Sequence, residues 1–265
     1  MNRVLRYPRL PDGKVTWALI SGEFPWLKDA LAPWGVRILL TDCDPRLPEP
    51  VGFHPDLQVC PLPDKRLFVL RGSPIEYQLK EAGFAVQETQ EPPGDTYPED
   101  VRCGGLVWNN YLVGNPKGLD RNLICCAQEI GLEILPVRQG YTACSVALVD
   151  QQSAITADRG LYRALTEQGF EMLLIQPGFI QLPGYDTGFL GGCCGKLSPD
   201  MLAFTGRLSS HPDGLQIRRF LEERGVTAVE LTDGPLLDVG GIVPLFEKPH
   251  ARIAGEGLPK ENTKL

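Results

Sequence analysis

The sequence predicts an α/β chain in which five strand–strand–helix–strand units close into a ring. Three observations predict it. Apolar runs of strand length alternate with amphipathic runs of helix length through most of the chain. The order repeats every ~45 residues, a spacing typical of stacked structural repeats. The repeats start near positions 57, 101, 142, 188 and 237. Finally, the two ends are complementary fragments: the N-terminal segment lacks a leading strand, and the C-terminal segment is a strand with no helix after it. Joined, they make one whole unit, and closure removes open sheet edges. The competing reading is an open α/β sheet with helices on both faces. Hairpins recur before nearly every helix, whereas a doubly wound chain crosses straight over, and this favours the ring.

The elements follow in order. Residues 15–20 read as a strand, a helical stripe of Trp26, Leu27, Ala30 and Leu31 stops near Gly35, and residues 36–40 read as a strand. In the next unit residues 57–60 and 66–70 are strands, a helix spans about 74–82 with Pro74 in its first turn and Gly83 past its end, and 84–89 is a strand. A loop rich in proline, glycine and acid covers 90–100. The third unit has a turn at Asn109-Asn110, a helix over about 119–130 ended by Gly131, and a strand at 132–137. In the fourth, 142–149 and 154–156 are strands around a turn at 150–152. Asp158 caps a helix that Gly169 ends, and 170–175 is the last strand. In the fifth, 189–194 and 201–205 are strands, a helix follows His211-Pro212-Asp213 and runs to about Arg224, and 226–231 is a strand. Residues 236–245 supply one more strand.

Composition narrows the function classes. The 265 residues are 43% hydrophobic and 22% charged, ordinary for a globular chain of one domain, with a formal charge of −7. No basic stripe offsets that charge, so no nucleic-acid partner is expected. No apolar run reaches spanning length and residues 1–11 do not form a signal peptide, so no membrane partner and a cytoplasmic location are expected. The eight cysteines sit mostly in apolar runs with no CxxC pair, as expected of reduced thiols. His54, His211 and His250 do not converge on a zinc-finger spacing, and no G-x-G-x-x-G follows a first strand. No metal and no cofactor are therefore expected. His250 falls in a charged tail and is expected to be exposed.

Four stretches carry a resemblance: His54-Pro55-Asp56, the run from Gly140 to Cys144, the run from Thr205 to Gly214, and the run from Asp238 to Leu245. With the five-unit order, they resemble the pentein superfamily, the five-bladed β/α-propellers, and most nearly an uncharacterised bacterial family of that fold. The superfamily includes amidinotransferases, arginine and agmatine deiminases, dimethylarginine hydrolases and a non-catalytic ribosomal factor. The resemblance implies a small-molecule ligand in a central channel and chemistry on amidine, guanidine or amino-acid-like substrates, by hydrolysis or transfer. It is also consistent with a homo-oligomer. The enzymes of the superfamily carry a nucleophilic cysteine late in the chain, whereas here no cysteine follows Cys194. A non-catalytic binding or scaffold protein is the alternative that this difference supports.

The site candidates follow from chemistry. Cys144, read as part of a channel-lining strand, is either a nucleophile or a packed core thiol beside Ala143 and Val146. His211, next to a helix start, and His54 are candidate acid–base groups. Asp56, Asp100, Asp213 and Asp238 are candidates to grip a cationic ligand. Asp213 also suits a helix start, and Asp100 and Asp238, like Glu99 and Asp186, also suit strand entry. The pairs Gly191-Gly192 and Gly240-Gly241 suit close backbone packing near an axis.

Overall fold

The computed structural model of the protein describes residues 2–249, so His250 lies outside the described residues. The chain begins with β1 (Arg3–Val4), β2 (Gly13–Ser21), α1 (Pro25–Leu31) and β3 (Arg37–Thr41). The second unit holds a one-turn helix α2 (Pro55–Gln58), β4 (Val59–Leu62), β5 (Arg66–Val69), α3 (Ile75–Glu81) and β6 (Ala85–Glu88). The third holds β7 (Leu106–Trp108), β8 (Tyr111–Gly114), α4 (Arg121–Glu129) and β9 (Glu133–Pro136). The fourth opens on another single turn, α5 (Thr142–Ser145), then β10 (Val146–Leu148), β11 (Ser153–Thr156), α6 (Arg159–Glu167) and β12 (Glu171–Leu174). The fifth holds β13 (Cys194–Ser198), β14 (Met201–Phe204), α7 (Gly214–Glu222) and β15 (Thr227–Glu230), and β16 (Val243–Pro249) follows.

Five small sheets result, and each repeats one pattern. An antiparallel pair comes first, then a helix returns the chain to lay a parallel strand on the second member, as in β10-β11-β12. Local chemistry sets the helix ends. The Asp158 carboxylate accepts the N–H of Leu161 at 2.8 Å and starts α6. Gly169, at φ 88°, takes the left-handed turn that ends it. The chain termini share the remaining sheet, in the order β1-β16-β2-β3, with Val243 opposite Leu19.

The core is divided among five apolar clusters, each filling the space between two sheets. One joins the terminal sheet to β4-β6 through Leu19, Val243, Val59 and Leu67. The next joins β4-β6 to β7-β9 through Cys60, Phe68, Val107 and Leu112. Trp108 and Val113 then meet Val146 and Ala154, and Ala147 and Ile155 meet Leu202 and Phe204. Leu197 and Ala203 meet Val15 and Ile20, which returns to the terminal sheet. Every sheet therefore shares an apolar cluster with two others.

Four local expectations change. The last strand is not 236–245: it begins at Val243 and runs to Pro249, after a loop in which Gly240 and Gly241 take positive φ. Residues 57–60, 142–149 and 189–194 do not run as continuous strands. Each opens on a helical turn (α2, α5, and a 3-10 turn at Gly191–Cys193) before its strand begins. Pro55 in the first position of α2 favours that turn. Around α5, the Ala143 N–H donates to the Gly104 carbonyl, and the Thr156 hydroxyl donates to the Ser145 carbonyl at 2.9 Å while accepting the Asp158 N–H. Contacts distant in sequence thus override strand-like composition. Among the described residues no helix is long and apolar enough to cross a membrane.

Candidate active site

The helical turns point their residues at one place. His54 is the N-cap of α2 and Asp56 lies in its first turn; both are buried. Gln58 pins that turn by donating to the carbonyls of Asp42 and Gly52. Cys144 lies in α5, whose first residue Thr142 donates to the Gln139 carbonyl at 2.7 Å. Asp238 lies between β15 and β16. It accepts the Phe189 N–H through Oδ2 and the Gly240 N–H through Oδ1. Gly240, at φ 76°, packs against His54 so closely that a Cβ there would fall 2.6 Å from the histidine's own Cα and Cβ.

His54, Cys144, Asp238 and Tyr141 line a cavity of about 150 Å³ together with Val51, Leu182, Tyr185, Thr187 and Phe189. His54 Nδ1 stands 3.8 Å from Asp238 Oδ1 and 3.9 Å from Asp56 Oδ1. Cys144 lies beside Asp56. Neither oxygen of the Asp56 carboxylate, nor His54 Nε2, has a hydrogen-bond partner, although all three are buried. Buried polar atoms of this kind are normally satisfied, and here three of them stand close together. Burial raises Asp56 to about 6, with the Asp238 charge adding to it and His54 and Arg9 opposing. Burial and the charges of Asp56 and Asp238 push the Cys144 thiol well above its usual range.

One wall is aromatic. Tyr141 stacks between Tyr97 and Phe189, with ring centroids 6.2 and 5.9 Å away. Its hydroxyl donates to Asp100, which is buried and raised by that burial while the tyrosine hydrogen bond opposes the rise. Asp100 thus stands behind Tyr141 rather than on the cavity surface.

His211 and Asp213 are elsewhere. His211 Nδ1 accepts the Asp213 N–H at 3.0 Å and Nε2 pairs with the Gln176 carbonyl at 3.2 Å, which fixes the neutral Nε2–H form. Burial lowers His211, in keeping with that form. The Asp213 carboxylate accepts from the Gln176 backbone and side chain. Both residues tie the start of α7 to the chain leaving β12, and neither lines the cavity. Sequence reasoning missed Tyr141 and the residues of the loop between β12 and β13, Leu182, Tyr185, Thr187 and Phe189. Tyr141 stands next to Thr142 in the run that was singled out. The loop carries no pattern that announces a cavity wall. Among the described residues no group of three or more His, Cys, Asp or Glu has metal-binding geometry.

This architecture has been solved before. DDAH from Pseudomonas aeruginosa, a cysteine-to-serine mutant complexed with citrulline, superposes with a TM-score of 0.53 at 11% identity, covering 84% of this chain and 96% of that one. The inosamine-phosphate amidinotransferase of Streptomyces griseus gives 0.57 at 10% identity over 92% and 97%. The amidinotransferase SxtG from Microseira wollei gives 0.54 at 9% over 89% and 96%. The fold is that of the pentein superfamily. By sequence, the chain belongs to the family of unknown function DUF6873, whose model matches residues 19–243. No curated protein matches the chain in sequence.

Proposed function

We propose that the five sheets form a closed five-bladed ring whose axial cavity is the active site of a hydrolase or transferase for small amidine, guanidine or amino-acid-like substrates. The observation that carries this reading is the buried set of Cys144, His54, Asp56 and Asp238 at one cavity, with three of its polar atoms unpaired. The lining contains one carboxylate, Asp238, with the Cys144 thiol and the His54 imidazole, and no lysine or arginine. A flat cation suits such a lining, and Asp56 just beneath it offers two free oxygens. At about 150 Å³ the cavity takes a compact head group rather than a whole ligand, drug-sized sites being roughly 300–1,000 Å³. The open groove next to it, about 540 Å³ in volume, shares Leu182 and Tyr185 with the cavity and accommodates the remainder.

In this reading the Cys144 thiolate attacks the amidinium carbon, and the carbon's bond to the leaving amine breaks after that amine takes a proton from His54. The resulting amidino thioester is then cleaved by water or handed to an acceptor amine, and the thiolate is regenerated. A bound cation also lowers the cost of the thiolate, since the same burial and carboxylates that hold the free thiol neutral lose their effect once a positive charge sits beside it. The test is a screen of amidines and guanidines for release of ammonia or amine. Turnover should vanish with Cys144→Ser, and turnover unchanged in that variant refutes the assignment. Pentein enzymes of known activity motivate the substrate class, and the likeness to the solved structures itself concerns the fold.

A further inference from the structure

Behind the cavity, the axis is walled by glycine. A Cβ on Gly191 would meet the carbonyl oxygens of Ala143, Cys144 and Val146 at 2.6–2.7 Å. A Cβ on Gly192 would strike the Asp238 carboxylate at 2.0 Å. On Gly241 it would stand 3.1 Å from the Gly191 carbonyl and 3.8 Å from Arg9 Nη1. The wall is therefore one backbone thick, with the site on its front and Arg9 on its back.

Arg9 is placed there at a cost. It sits in the tight turn that joins β1 to β2, where the Leu10 N–H donates to the Tyr7 carbonyl at 3.1 Å. Its φ is 63°, a conformation in which side chains other than those of glycine, asparagine and aspartate are uncommon. Strain of this kind persists where the surroundings hold it in place, and it gathers at functional sites. The Arg9 side chain lies in a small pocket with Gly191, Cys194, Gly195, Lys196 and Ile242, and no carboxylate lines that pocket. Its Nη2 is buried and has no hydrogen-bond partner. The neighbouring Lys196 is spoken for, since its ammonium donates to the carbonyls of Val149 and Pro199. Arg9 thus sets a guanidinium charge, with no carboxylate lining its pocket, close enough to act on both Cys144 and Asp56.

We propose that Arg9 is a positioning residue, a fixed cation that supports the negative form of Cys144 through the glycine wall. The inference rests on the proposed role of Cys144 and adds a residue to it. The charge acts on Cys144, Asp56, Cys60 and Cys194 alike, favouring the anion in each. The other titratable groups about Cys144 are His54 and Asp56 from α2, Asp238 from the loop before β16, and Tyr141 at the start of α5; Cys194 and Lys196 from β13 share the pocket of Arg9. Arg9 carries a guanidinium charge that persists throughout the range of thiol ionisation, whereas the Lys196 ammonium in the same small pocket drops to about 8 through burial. Over the range in which the thiol ionises, Arg9 is the steady cation.

The test is the pH profile of Cys144 alkylation by iodoacetamide, read by peptide mass spectrometry, in the wild type, Arg9→Gly and Arg9→Lys. Arg9→Gly removes the charge and relieves the backbone at φ 63°, so loss of folding is not the expected outcome; Arg9→Lys keeps the charge. In Arg9→Gly the profile should move to higher pH by about one unit, about tenfold slower near pH 9, with most of the rate recovered in Arg9→Lys. Superimposed profiles for wild type and Arg9→Gly would overturn this inference and leave the reading of Cys144 standing. A native wild type whose Cys144 is alkylated no faster than Cys60, and a reaction that appears only on unfolding, would overturn both.

Discussion

Asp56 is held at an energetic disadvantage. Its carboxyl is fully buried, unpaired and raised to about 6 from an ordinary 3.8. The folded state therefore holds a proton more tightly than the unfolded chain. Its contribution favours folding below about pH 4 and is lost as pH rises through about 6, the reverse of a salt-bridged aspartate. At neutral pH the carboxylate costs the fold on the order of 2–3 kcal/mol. Asp56→Asn should consequently raise the unfolding free energy at pH 7 by about 2 kcal/mol and flatten its dependence between about pH 4 and 6. Urea denaturation across that range measures both. A loss of stability at pH 7 would mean that Asp56 is a structural group. His54, Asp56, Cys144 and Asp238 were legible as single residues because polar side chains stand out in apolar runs. Their convergence was not legible, since they come from three separate units. His211 misled for a physical reason: it looks functional in a short motif, yet backbone groups engage both of its ring nitrogens.

Helix ends show what a sequence reveals about elements. Asp158 and Gly169 bracket α6 by local rules, and the helix runs where those rules place it. Asp120 is a cap of another kind. Its carboxylate accepts the N–H groups of Asn122 and Leu123 at the start of α4, and also those of Gln90 and Glu91, thirty residues earlier. The local half follows from spacing; the distant half needs the fold. Asp120→Ala should cost about 2–3 kcal/mol, because donors in two segments lose one shared, buried acceptor, whereas Asp158→Ala should cost about 1 kcal/mol. Equal losses in the two variants would deny Asp120 its second role. The second half of α2 and all of α5 were read as strand because they run without a break into apolar strands, and periodicity cannot separate a buried turn from a buried strand. These turns are also the elements that present His54, Asp56 and Cys144 to the cavity.

At the scale of the molecule, the pairing of Val243 with Leu19 and of Arg3 with Glu247 places the two ends in one sheet. The complementary fragments seen in the sequence foretold this sheet; β1 and the Arg9 turn, too short to leave a pattern, were not foreseen. Joining the ends by a short linker and opening the chain in the exposed turn at Gln151-Gln152 should preserve the fold, with one cooperative unfolding transition. Truncation before Val243 removes a strand paired on both sides and should abolish that transition. A stable, cooperatively folded truncated chain would contradict the cyclic arrangement. The proposed ring matters for function because it gathers groups from three units around one cavity whose lining includes the Asp238 carboxylate.

The most direct measurement of that claim compares two alkylating reagents at Cys144, cationic chloroacetamidine and neutral chloroacetamide, by peptide mass spectrometry. If the cavity is built for an amidinium head group, the preference for the cation should exceed that of the urea-unfolded chain by about tenfold or more, and Asp238→Asn should reduce it. An equal preference in the folded and unfolded protein would contradict the account.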